Sequence, residues 1–193
     1  MKKFFFFAII MTLSIQLFGQ SIGVLTNYKN QIMTPAPYLL HINSEKLHFW
    51  GFATATPDLS FSAAYVGIGW SPNSNFNTNI GFGAVSIRPI KFGNPIISNL
   101  TIWNTPKFQI INFMELGIGR DYFWKRSQVN YALNSHWRVG LMSHWGHGAM
   151  LRWSSKKREN KAPQFVIEMG IYPLSDNFKL QSPNGSLRTE YNF

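Results

Sequence analysis

Apolar and polar residues alternate along most of this chain, and the alternation is clearest from His136 to Trp153. Trp137, Val139, Leu141, Ser143 and Trp145, then Ala149, Leu151 and Trp153, hold the odd positions. His136, Arg138, Gly140, Met142 and His144, then Met150, Arg152 and Ser154, hold the even ones. A strand sends successive side chains to opposite faces, so this is one apolar and one mixed face. Gly146-His147-Gly148 interrupts the pattern with residues suited to a turn, and a three-residue turn there pairs Trp145 with Ala149. The parity survives the turn, which predicts a hairpin.

The same reading extends along the chain. Phe165, Ile167, Met169 and Ile171 oppose Val166, Glu168, Gly170 and Tyr172; Phe108, Ile110, Met114 and Leu116 oppose Gln109, Ile111, Phe113 and Glu115. Strand-length segments are predicted at 38–43, 46–56, 59–70, 78–88, 96–103, 108–119, 136–145, 149–155, 164–172 and 186–193, with a weaker one at 128–133. Breaks fall at Pro57-Asp58, 71–75, 89–95 and 104–107. Residues 20–37, closed by Pro35 and Pro37, read as irregular, and 173–185 reads as a loop. No long helical periodicity follows the first residues. The fold class expected is all-β, an antiparallel up-and-down transmembrane β-barrel with an even number of strands between eight and twelve.

Alternation alone does not say which face is inside. The second face carries Gly, Ser and Asn with isolated His, Arg and Glu, which suits a narrow interior where charges must pair. Trp137 and Trp145 share the apolar face eight residues apart, roughly 26 Å along a strand. At a tilt near 45° that becomes about 19 Å of height, comparable to the spacing of aromatic girdles on an apolar band about 25 Å tall. Trp137, Trp145 and Trp153 are therefore girdle candidates. Glycines at period two, Gly67/Gly69, Gly81/Gly83 and Gly117/Gly119, complete no dinucleotide-binding pattern and read as close packing inside a small barrel.

Composition adds an address. Lys2 and Lys3 precede an apolar stretch from Phe4 to Leu17, which reads as a signal peptide over residues 1–19, leaving 20–193 as one barrel domain. There is no Cys, which excludes disulfides, thiolate metal sites and a cysteine nucleophile. Charged residues make up 13% and aromatics 16%. A soluble domain carries about 25% charged residues, so much of this surface faces something other than water. The net charge of +10 suits anionic headgroups or lipopolysaccharide, and nucleic acid ranks last for a secreted chain.

The final segment alternates Leu187, Thr189, Tyr191 and Phe193 against Arg188, Glu190 and Asn192. Behind a secretion signal, this resembles the C-terminal assembly signal of small bacterial outer-membrane β-barrel proteins, with Tyr191 and Phe193 as its aromatic residues. The resemblance implies outer-membrane localisation in a Gram-negative envelope. The partners it implies are outer-membrane lipid, lipopolysaccharide and the barrel-assembly machinery. It implies no cofactor and leaves the oligomeric state open.

The candidate chemistry lies on the mixed face. Some small outer-membrane barrels are lipid A-modifying enzymes, and one deacylase family uses a His-x-Ser-Asn motif. Here His144 is followed by Trp145 and Gly146, so that nucleophile position is missing. Ser143 and His144 are adjacent and point to opposite faces, which argues against a local dyad. A site assembled across strands would use His144, Glu115 and Glu168, with Arg138 or Arg152 as an anion partner. The favoured reading is a lumen filled by His136, Arg138, His144, Arg152, Glu115, Glu168, Arg188 and Glu190, with no metal site. The function expected is structural, adhesive or narrow transport. The alternatives are a deacylase- or acyltransferase-like enzyme and a soluble secreted barrel binding a hydrophobic ligand. The basic run Lys156-Lys157-Arg158 reads as a solvated turn on the periplasmic side.

Overall fold

The computed structural model describes residues 21–29, 32–42, 46–58, 60–87, 94–118, 122–144, 146–155 and 165–192. The predicted signal segment, Gly119, Trp145, the Lys156-Lys157-Arg158 run and Phe193 lie outside them. Twelve strands follow in chain order. They are β1 (Ser21–Lys29), β2 (Ile32–Ile42), β3 (Leu47–Ala55), β4 (Phe61–Asn73), β5 (Phe76–Ile87) and β6 (Asn94–Asn104), then β7 (Phe108–Gly117), β8 (Phe123–Ala132), β9 (Trp137–Ser143), β10 (His147–Ser154), β11 (Phe165–Leu174) and β12 (Leu180–Asn192). Each pairs antiparallel with its sequence neighbours, and β1 pairs with β12, which closes the barrel. Closure removes the free edges that an open sheet of this length would present. β1 begins and β12 ends at the same end, called the terminal end below; the β1–β2, β3–β4, β5–β6, β7–β8, β9–β10 and β11–β12 connections lie at the far end.

The apolar face of every alternating strand points outward. Phe49, Val66 and Leu141 are each more than 70% exposed. The interior holds Asn79, Ser98, Gln128, Asn130 and Glu168, all nearly inaccessible. This is the reverse of a soluble barrel, which buries its apolar face.

Four departures from the sequence reading have physical reasons. First, the described residues of 20–37 are not irregular: they supply β1 and the first part of β2. The Thr54 hydroxyl donates to the Pro37 carbonyl at 2.9 Å, so Pro37 turns its backbone polar edge toward β3. The β2–β3 ladder begins only at Tyr38↔Thr54, so neither Pro35 nor Pro37, which share parity, removes a ladder donor. Second, β8 is longer than 128–133. Lys125 and Ser127 on its outward face make its first half look polar on both sides. Third, the β9–β10 turn lies two residues earlier than predicted. Ser143 pairs with His147, so His147 belongs to β10, and Gly146 takes the positive φ of 140°. Fourth, the 173–185 loop shrinks to the turn between Leu174 and Leu180.

The paired glycines make room for an aromatic cluster. Gly67 faces Gly81 across β4–β5, and a Cβ on Gly81 would lie 2.6 Å from Ser98 Oγ and 2.9 Å from Trp50 Cζ2. Trp50 is buried there, donates Nε1–H to the Ile80 carbonyl at 3.0 Å, and packs at 5.4 Å on Tyr65. Gly81→Val should cost about 1–3 kcal/mol through overpacking and displace the Trp50 ring. Near-ultraviolet circular dichroism together with a urea titration reads both; an unchanged spectrum and midpoint would contradict this role for Gly81.

Candidate functional site

The lumen is divided by chemistry. Strands β3 to β7 contribute an apolar cluster of Trp50, Ala63, Tyr65, Val85, Ile96 and Leu100, extended by Phe52 and Phe113. Phe52 meets Phe113 edge-on at 5.7 Å although β3 and β7 are four strands apart, so these rings narrow the lumen from both walls. Glu115 is buried beside them. It accepts hydrogen bonds from the hydroxyls of Tyr65 at 3.1 Å and Tyr122 at 2.5 Å.

Strands β8 to β12 contribute charge. Arg138 pairs with Arg152, Arg152 with Glu168, and Glu168 with Arg188, on neighbouring strands and on the inward face. This places four charged residues in one row around the wall. Arg126 of β8 reaches over the row and donates Nη2–H to Glu168 Oε1 at 2.5 Å, where Gln128 Nε2 also donates at 3.0 Å. Arg188 donates to Glu190 Oε2 at 2.5 Å and to the Tyr38 hydroxyl at 2.9 Å, and Tyr38 in turn donates to Glu190 at 2.6 Å. Arg152 donates to Gln109 Oε1 at 3.0 Å.

Arginines outnumber acids on this wall. Four guanidiniums, Arg126, Arg138, Arg152 and Arg188, face two carboxylates, Glu168 and Glu190. Among the described residues, buried N–H groups find no hydrogen-bond partner at Arg126 Nε, Arg138 Nη1 and Arg152 Nε, and neither does Glu168 Oε2. Buried charged donors are costly unless an acceptor meets them. The wall is thus an electropositive strip with donor capacity to spare.

His144, Glu115 and Glu168 each make their own contacts among the described residues. Glu115 is held by tyrosines and Glu168 by Arg126 and Gln128. The His144 ring lies 3.1 Å from Asn27 Oδ1 and packs against Trp124 and Tyr172 at 5.2 and 6.1 Å. The His144–Asn27 contact joins the β9–β10 turn to β1 across the lumen. His136 sits at the terminal rim, its Nδ1 2.9 Å from the Ser154 carbonyl and its ring stacked at 6.5 Å on Trp153. Arg126 was not among the sequence candidates, nor were Tyr38, Tyr65 and Tyr122. The even-position series Trp124, Arg126, Gln128, Asn130 was the available signal for Arg126.

Outside, aromatic residues recur at the terminal end of consecutive strands. Phe76 pairs with Trp103, Phe108 with Tyr131, Trp137 with Trp153, and Phe165 with Tyr191. Phe108 and Tyr131 touch at 5.2 Å and Phe165 and Tyr191 at 4.9 Å. Trp137 and Trp153 are cross-strand partners at one level.

Comparison with solved structures finds the same architecture. A KdgM porin in complex with disordered oligogalacturonate superposes with a TM-score of 0.58 at 12% identity, covering 90% of this chain and 99% of that one. A second KdgM porin structure gives 0.56 at 11% identity, with 90% and 99% coverage. The chain has the fold of the KdgM porin barrels. No family model matches the sequence, and the search of curated proteins gives no match.

Proposed function

We propose that this chain is an outer-membrane barrel whose narrow, arginine-lined lumen passes small anionic solutes. The observation that carries the reading is the row Arg138–Arg152–Glu168–Arg188 with Arg126 above it, whose unpartnered N–H groups line the lumen wall. Arginine presents a planar fork of donors that matches a carboxylate or phosphate, and a low-dielectric channel of one sign concentrates counter-ions. The neighbour holding oligogalacturonate, whose units each carry a carboxylate, supports a solute of this class. The crossing contacts Phe52–Phe113 and His144–Asn27 keep the passage narrow.

In this reading the outward apolar face meets outer-membrane lipid, and lipopolysaccharide on the outer side. The belt that includes Trp137 and Trp153 marks the inner interface. The terminal end is then periplasmic, and β12 with Tyr191 and Phe193 presents the signal to the barrel-assembly machinery. Residues 1–19 are removed on export.

Liposome swelling tests the proposal. Vesicles holding the refolded barrel should admit sodium galacturonate faster than galactose, a neutral sugar of similar size. Equal rates, or no entry of either, would defeat it.

A further inference from the structure

A row of polar residues crosses the outward face of the barrel. Thr78, Thr101, Asn112, Ser127, Ser143 and His147 are successive cross-strand partners from β5 to β10. Asn112 shares its face with exposed Phe108, Met114 and Leu116, and Ser127 with exposed Phe123, Val129 and Tyr131. On β11, by contrast, Phe165, Ile167, Met169 and Ile171 fill the outward face without a polar interruption.

The aromatic belt measures the depth of the row. Thr78 and Thr101 stand two residues above the Phe76–Trp103 pair, Asn112 and Ser127 four above Phe108–Tyr131, and Ser143 and His147 six above Trp137–Trp153. The row therefore climbs away from the belt, as a line across tilted strands must. Four residues are roughly 13 Å of strand and about 9 Å of height at a tilt near 45°, well inside an apolar band about 25 Å tall.

Most of the row is satisfied or enclosed. Thr101 donates to Asn99 Oδ1 at 3.1 Å, Asn99 Nδ2 donates to the Asn79 carbonyl at 3.1 Å, and the Thr78 and Thr101 hydroxyls lie 3.0 Å apart. The Ser143 hydroxyl is buried, and the His147 ring is stacked on Phe178 at 4.3 Å. Asn112 is the exception. It accepts from Ser127 at 2.7 Å through Oδ1, and its amide N–H groups meet no acceptor among the described residues. The side chain is only half-buried. An amide donor facing hydrocarbon is costly, acyl chains offer it no acceptor, and lipid carbonyls lie at the level of the belt.

We propose that the outward face of β7 and β8 is the interface of a homodimer, in which the Asn112 amides of two copies hydrogen-bond to each other. Two copies inserted in the same direction are related by a two-fold axis parallel to the barrel axis. Such an axis brings together residues of equal height and opposite lateral position, so the two climbing rows cross and meet at a single point. Asn112 suits that point, because a primary amide has one donor edge and one acceptor edge and is its own complement. A second copy thus supplies the missing acceptor with no further chemistry. The apolar residues around it pack equally well on protein or lipid, so the polar contact decides association. The pairing depends on the outward face meeting lipid and is independent of what the lumen passes.

Energy transfer between copies tests this. The chain has no Cys, so Asp176→Cys in the exposed β11–β12 turn gives one labelling position. Barrels carrying donor or acceptor dye, mixed in phosphatidylcholine vesicles, should show transfer that unlabelled barrel competes away. Asn112→Leu should weaken association about ten-fold. Thr26→Val, on β1 six strands round the wall and on the face of exposed Val24 and Tyr28, should leave it unchanged. Heat-modifiable gel mobility reports that each variant has folded. A wild type without competable transfer overturns the proposal, as does transfer that folded Asn112→Leu leaves unchanged or that Thr26→Val lowers equally. So does a monomer that retains a lipid in native mass spectrometry and loses it in Asn112→Leu, since a lipid would then be the occupant.

Discussion

Glu168→Ala should destabilise the folded barrel by about 3–5 kcal/mol, the cost of leaving a buried charge without its partner. Glu168 is only 1% exposed and accepts from Arg126 and Gln128, with Arg152 and Arg188 as its neighbours in the row. Its removal leaves Arg126, Arg152 and Arg188 crowded without the carboxylate between them. The loss should show as a lower urea midpoint for unfolding from lipid vesicles. A double-mutant cycle separates this from simple loss of packing. Arg126→Met should cost much less in the Glu168→Ala background than in the wild type, because the charge it removes is there already unpaired. Strictly additive effects would show that the Arg126–Glu168 contact carries no coupling.

That pair also shows what the sequence discloses and what it does not. The face assignments were legible. In β11, Glu168 falls among Val166, Gly170 and Tyr172 while Phe165, Ile167, Met169 and Ile171 go outward, and period two alone dictates this. The same holds for Arg138 and Arg152 in β9 and β10, and the closed antiparallel architecture follows from repeating that pattern.

Partnership was not legible. Arg126 and Glu168 are 42 residues apart and three strands apart, and the reach of one guanidinium over two intervening strands depends on barrel curvature. β1 and the first part of β2, before Tyr38, were lost because Pro35 and Pro37 normally argue against a strand. Their acceptability rests on the β2–β3 ladder beginning one residue later, a tertiary fact. The hairpin register slipped because Gly146 and Gly148 both tolerate the turn, and only the Ser143↔His147 pairing decides between them. Trp137 and Trp153 were readable as outward aromatics. Their shared level became evident only when β9 was paired with β10.

Neutralising the two lumen-row arginines that make no ion pair within 4 Å among the described residues should abolish anion preference with little loss of stability. Arg138 makes no ion pair within 4 Å among the described residues, and Arg152 is held by neutral Gln109. Arg126 and Arg188, by contrast, are neutralised locally by Glu168 and Glu190. The excess field in the lumen therefore comes from Arg138 and Arg152. At about 6 Å and an effective dielectric near 20, one unit charge biases a passing ion by roughly 3 kcal/mol before salt screening. Arg138→Gln with Arg152→Gln should then reduce the anion-to-cation permeability ratio at least about ten-fold, read from the reversal potential across a planar bilayer under a salt gradient. Glutamine keeps a donor toward Gln109, so the double variant should fold with wild-type heat-modifiability. The ratio should recover part of its value in the Arg152→Lys single variant, which restores charge without the fork. A folded double variant with an unchanged reversal potential would place the selective charge elsewhere and remove the arginine row from the transport reading.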